Sequence, residues 1–161
     1  MKTKYYFPII SLVMFSWLFT SCDDKNRDTT PPVIDVQSPS DEEVILIGDE
    51  HGIHLEMDLS DDIMLLSYKI QVHSNFDGHG HDHDHDTRSG EETVPFHFEQ
   101  SYNVTDRTAH IEHDIEIPAN ATPGDYHLMV FCTDEAKNDS EVVRSIVLST
   151  GDEDHDHDHD E

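Results

Sequence analysis

The sequence predicts an all-β fold in which two antiparallel sheets pack face to face, and three observations carry that expectation. Apolar residues recur at every second position in seven short segments: Val33 to Gln37, Ile53 to Leu59, Leu66 to His73, Phe96 to Val104, Ala109 to Ile117, Tyr126 to Thr133 and Val142 to Leu148. That is the period of a half-buried strand, and no stretch carries a helical apolar stripe. Gly, Pro, Asn and Asp punctuate the gaps between the segments. Gly124-Asp-Tyr126 opens the sixth segment as the tyrosine corner of an immunoglobulin-like sandwich does. Two positions on, where an antibody domain has its cysteine, stands Leu128. The expected fold is therefore an immunoglobulin-like antiparallel β-sandwich of about seven strands, without the inter-sheet disulfide.

Taken in order, the chain opens with Lys2 and Lys4, the apolar run Tyr5 to Phe19, and the small residues Thr20 and Ser21 before Cys22. A charged start, an apolar middle and small residues before a cleavage point make residues 1–21 a secretory signal peptide, too short to persist as a membrane-spanning helix. Phe19-Thr-Ser-Cys22 resembles a bacterial lipobox, which makes Cys22 the lipidated first residue of the mature chain. Residues 22–30 follow as lipidated cysteine and polar tether, residues 31–150 as the sandwich with a His/Asp-rich loop at 77–86, and residues 151–161 as a His/Asp-rich disordered tail. With Cys22 acylated, Cys132 has no disulfide partner. Set among Leu128, Met129, Val130 and Phe131, it reads as a small buried apolar residue rather than a nucleophile.

The loop and the tail carry the chemistry. Asp77-Gly-His-Gly-His-Asp-His-Asp-His-Asp86 is repeated almost letter for letter by His155-Asp-His-Asp-His-Asp160, and the two runs hold seven of the 14 histidines. Neutral imidazole is a favoured ligand of zinc, copper and nickel, and a neighbouring carboxylate either ligates or raises the basicity of histidine from outside. A solvated acidic segment is the plain alternative, but aspartate alone would serve that purpose. Behind the leader stand seven basic against 36 acidic residues, a formal charge of −29 for residues 22–161. Such a surface attracts cations and repels nucleic acid and anionic lipid head groups.

Alternation assigns faces. Ile53, Leu55, Met57 and Leu59 oppose His54, Glu56 and Asp58; Tyr68, Ile70 and Val72 oppose Lys69, Gln71 and His73; Ile111, Ile115 and Ile117 oppose His110, Glu112, Asp114 and Glu116. His113 falls on the apolar parity, which predicts a core or edge histidine with a hydrogen-bond partner. In a seven-stranded sandwich the loop after the third strand, the start of the second, the start of the sixth and the end of the seventh share one pole. Those places hold the 77–86 run, His51, His127 and the tail, and His73 and His127, on neighbouring strands with outward parity, are placed to meet. The lipid anchor falls at the opposite pole.

Tyr68-Lys-Ile-Gln-Val-His-Ser-Asn-Phe-Asp-Gly-His-Gly-His81, Pro123-Gly-Asp-Tyr-His127 and Cys132-Thr-Asp-Glu-Ala-Lys-Asn138 resemble the corresponding segments of the DUF4625 family of Bacteroidetes lipoproteins. The His-x-Asn-Phe-Asp-Gly-His-x-His pattern falls here on His73, Asn75, Phe76, Asp77, Gly78, His79 and His81, within a likeness spanning roughly Asp28 to Ser149. Thr133 to Asn138 also looks like a turn of bacterial immunoglobulin-like domains, with Lys137 where glycine is usual. The resemblance implies an immunoglobulin-like domain in a bacterial envelope, on an outer-membrane lipoprotein. Asp23-Asp24 looks like the signal that carries such lipoproteins to the outer face of that membrane.

The leading functional expectation is a surface lipoprotein that binds transition metal, zinc first with copper or nickel as alternatives, and buffers it or passes it to an outer-membrane metal importer. Its ligand candidates are His73, Asp77, His79, His81 and His127 for an ordered site, with His83, His85, His155, His157 and His159 as looser captors. The alternative is a structural or adhesive module whose acidic runs only solvate it. A variant of that alternative places calcium at the opposite pole on Asp61, Asp62, Asp134 and Asn138, residues whose commoner role is turn hydrogen bonding. No zinc-protease motif, nucleophile elbow or phosphate loop is present, so no enzyme is expected.

Overall fold

The computed structural model describes residues 28–76 and 93–151. Among them, eight strands follow one another: β1 (Val33–Ser38), β2 (Glu43–Leu46), β3 (Ile53–Ser60), β4 (Leu65–Ser74), β5 (Phe98–Asn103), β6 (Thr108–Ile115), β7 (Gly124–Asp134) and β8 (Asp139–Ser149). They form a three-stranded sheet in the order β1-β3-β6 and a five-stranded sheet in the order β2-β8-β7-β4-β5. The fold is the immunoglobulin-like sandwich that the alternation predicts. Inward residues of β3 (Ile53, Leu55, Met57, Leu59) meet Ile70, Val72, Leu128, Val130, Ile146 and Leu148 of the other sheet in one core. Burial of each such side chain contributes about 1.5–3 kcal/mol.

One strand was not expected. Glu43-Val-Ile-Leu46 reads as an unbroken apolar run after Glu43, without the alternation that marks the other strands. The structure explains the pattern: β2 is a four-residue edge strand that pairs parallel with β8, burying Ile45 while Val44 and Leu46 stay exposed. The chain crosses from one sheet to the other between β1 and β2. Other boundaries move by two or three residues: β5 starts at Phe98 rather than Phe96, β6 ends at Ile115 rather than Ile117, β7 starts at Gly124 rather than Tyr126, and β8 starts at Asp139 rather than Val142. Phe96 and Ile117 remain buried beyond the strand ends.

The tyrosine corner is present. The Tyr126 hydroxyl donates to the Thr122 carbonyl at 2.7 Å and accepts from the Phe96 amide at 3.1 Å, with the ring wholly buried. Phe76 packs edge-on against this ring, 5.4 Å between centroids. A Cβ on Gly124 would lie 2.9 Å from Phe76 Cε1, and its φ of +136° favours glycine for a second reason. The exit of β4 and the entry of β7 are thereby clamped side by side.

Candidate metal centre

The clamp positions two imidazoles. His73 and His127 are direct partners in the antiparallel register of β4 and β7. Flanked by inward Val72 and Leu128, both have outward parity, and their rings meet edge-on with centroids 5.7 Å apart. Two imidazoles on one tetrahedral zinc have centroids roughly 5 Å apart, given Zn–N bonds of about 2.0–2.1 Å. The observed centroid separation is close to that value. His73 Nδ1 is buried without a hydrogen-bond partner among the described residues, an arrangement that ordinarily costs free energy. The meeting predicted from parity and strand order therefore occurs. Asp77, His79, His81, His83, His85, His155, His157, His159 and Cys22 lie outside the described residues.

The same pole carries further candidate ligands on the other sheet. His51, in the β2–β3 loop, lies 3.4 Å from Glu50 and lines an open cleft with Asp49, Asp114 and Glu116. His54 Nδ1 contacts Asp114 at 2.8 Å, directly across the β3/β6 register. Farther along the face, His110 Nδ1 contacts Asp58 at 2.8 Å, while Nε2 faces Glu112 at 3.2 Å and Glu56 at 3.9 Å. One ligand atom each from Glu56, His110 and Glu112 lie within 4.8 Å of one another. A carboxylate on Nδ1 fixes the proton there and leaves Nε2 as the ligating nitrogen, the arrangement that commonly supports histidine–zinc bonds. Parity alone put His110, Glu112, Glu56 and Asp58 on outward faces; the β3/β6 register, which the sequence does not state, brings them together. These groups sit on the opposite outer face of the sandwich from His73 and His127, so the structure makes two separate imidazole sites.

Electrostatics follow the contacts. The hydrogen bond to Asp114 raises the His54 pKa above its ordinary value, and hydrogen bonds to Asp58 and then Glu112 do the same for His110. His113 behaves oppositely, as its apolar parity predicts: burial lowers its pKa, and its Nε2 lies 3.0 Å from the Tyr68 hydroxyl. Burial, with Tyr102 second, pushes the Tyr68 pKa up to about 12, so the phenol donates and the neutral imidazole accepts. Tyr102 stacks on the same imidazole with centroids 4.5 Å apart. His113 is a satisfied structural residue. Cys132 is 1% exposed and burial pushes its pKa up to about 11, which leaves it inert as the sequence suggests.

The residues considered for calcium divide. Asp61 Oδ1 accepts the amides of Ile63 and Met64 at 2.9 and 2.6 Å, and Asp134 Oδ1 accepts the Asn138 amide at 2.8 Å, which are turn roles. The Asp62 carboxylate accepts a 3.4 Å bond from Thr30 Oγ1 at the surface, and its carbonyl accepts from Arg107 Nη2. Asp28, absent from the sequence-based set, joins Asp61 and Asp134 with carboxylate oxygens within 4.8 Å. It falls in the polar tether, which offers no periodicity from which to place it.

A family model described as a domain of unknown function, DUF4625, matches residues 20–149. The chain belongs to the DUF4625 family. The match spans all eight strands as well as the interval between β4 and β5 that holds the first histidine run. No curated protein matches the chain.

Proposed function

We propose that this DUF4625 protein is an envelope lipoprotein, anchored through Cys22 at the outer membrane, that captures transition metal, zinc first, at the pole remote from its anchor. The observation that carries the reading is the registered His73/His127 pair, with a buried ring nitrogen of His73 that has no partner among the described residues. Val33 pairs with Ser60 at the far end of β3, so the segment leading from the anchor enters at the opposite pole. β4 spans ten residues, about 30 Å between the poles at about 3.3 Å per residue. The 77–86 run leaves β4 directly after this pair and supplies imidazoles to complete a tetrahedral set, with Asp82, Asp84 and Asp86 to support them from outside. Ligands already held on paired strands lose little freedom on binding, so His73 and His127 set the tight site while the runs capture and exchange ions. The acidic surface concentrates cations around both. Transfer to an importer fits a site that faces away from the membrane and is fed by exchangeable ligands.

The test is calorimetric titration of zinc, copper and nickel into the full-length chain in detergent, beside a His73→Ala/His127→Ala double variant that keeps both runs. Zinc binds the parent tightly, and the double variant loses the tightest site, with affinity falling at least about tenfold for two lost first-sphere ligands, while loose sites persist. No heat and no thermal stabilisation by any of the three metals refutes metal capture and leaves the adhesive module as the better account.

A further inference from the structure

The pole opposite the histidines holds a site of different chemistry. Asp134, at the end of β7, is fully buried, and Asp61, in the β3–β4 loop, is only 9% exposed. One carboxylate oxygen from each, and one from Asp28 in the segment before β1, lie within 4.8 Å of one another. Among the described residues no Lys or Arg forms an ion pair with any of the three. Among the described residues the hydrogen bonds leave two of the six carboxylate oxygens over, Asp28 Oδ2 and Asp61 Oδ2, and the second is buried. Asp61 Oδ1 is engaged by two amides of its own turn, and both oxygens of Asp134 are engaged by Asn138, through its amide at 2.8 Å and Nδ2 at 2.6 Å. Asp28 Oδ1 accepts the Thr30 amide at 2.9 Å. Asp61 Oδ2 is buried with no partner among the described residues. An orphaned carboxylate oxygen, beside two further carboxylates and shielded from water, is explained by a cation that the three share.

We propose that Asp28, Asp61 and Asp134 hold a calcium ion. The donors are all oxygen, which suits a hard cation rather than the transition metals of the other pole. The carbonyls of Asp28 and Thr30 are close by, each 3.4 Å from Asn138 Nδ2, and calcium commonly takes backbone carbonyls and waters beside two or three carboxylates. Magnesium demands a stricter octahedron and keeps its waters, which a cluster spread over a lead-in segment, a loop and a strand end does not provide. The consequence is mechanical. The ion ties the lead-in that follows the tether to the β3–β4 loop and to β7, so calcium fixes how the sandwich is held at its anchored end. This site is independent of the zinc reading.

Calcium is titrated by calorimetry into the full-length chain in detergent at physiological salt, and unfolding is followed with calcium and with chelator, for the parent and for Asp61→Asn. The parent takes up one equivalent with Kd below roughly 1 mM, the range of extracellular calcium modules, and its unfolding midpoint rises by several degrees. Asp61→Asn retains the Oδ1 acceptor but loses at least about tenfold in calcium affinity, and in chelator its midpoint is no lower than the parent's because one repelling charge is gone. Zinc titrations of the two proteins agree. If Asp61→Asn does not fold, Asp28→Asn, on the lead-in outside the core, decides by the same readouts. A parent that calcium does not stabilise, or a variant that responds to calcium as the parent does, overturns the proposal.

Discussion

Replacing Tyr126 by Phe isolates the clamp at the histidine pole, because the ring and its packing against Phe76 are kept and only the hydroxyl is lost. Two hydrogen bonds disappear, the 2.7 Å bond to the Thr122 carbonyl and the 3.1 Å bond from the Phe96 amide. The first is partly compensated by water at a half-buried carbonyl and is worth about 0.5–1.5 kcal/mol net. The second leaves a buried N–H without an acceptor, at about 1–3 kcal/mol. The sum is about 1.5–4.5 kcal/mol, which for a domain of this size lowers the unfolding midpoint by roughly 6–18 °C. Urea unfolding followed by tyrosine fluorescence and circular dichroism measures it, and an unchanged m-value identifies a loss of stability rather than a change of fold. A cost below about 0.5 kcal/mol would show that the hydroxyl does not organise the corner and refute the reasoning that the clamp presets the His73/His127 pair.

Two other outcomes test separate parts of the structure. His54 and His110 both have raised pKa values in the fold, from Asp114 and from Asp58 with Glu112 respectively, so their protonated forms are favoured by folding. That contribution is full below the unfolded value near ~6.5 and is lost as pH rises through the folded pKa. His54→Gln and His110→Gln therefore lower the unfolding midpoint more at mildly acidic than at alkaline pH, measured in chelator. An equal loss at both ends would contradict the assignment. Lys137 has φ of +72° in the turn between β7 and β8, the position where the similar turn of bacterial immunoglobulin-like domains usually has glycine. Lys137→Gly stabilises the domain by up to about 1 kcal/mol in chemical denaturation, and a loss of stability would contradict the strain.

How far the site was legible depends on whether parity or register places it. His73 and His127 were legible because each required only its own strand's alternation and the adjacency of the third and sixth strands of a sandwich, both available from the sequence. The Glu56/His110/Glu112 group was not, because two strands with known faces still slide past one another until pairing fixes Glu56 opposite Glu112 and Asp58 opposite His110. β2 escaped for a related reason: a short edge strand buries only Ile45, so alternation over four residues leaves too little signal. Asp28 is the extreme case, a tether residue whose neighbours in space are 33 and 106 positions away in sequence. Formal charge points to cations everywhere on this chain and so selects none. Geometry distinguishes the two ends: β4 and β7 bring two imidazole rings together at one, while the chain entry, the β3–β4 loop and the end of β7 bring carboxylate oxygens together at the other. On the two proposals, transition metal and calcium would occupy different poles of one sandwich, and each should bind without displacing the other. Titrating zinc into calcium-loaded protein tests that separation, since a shared site would make the two metals compete.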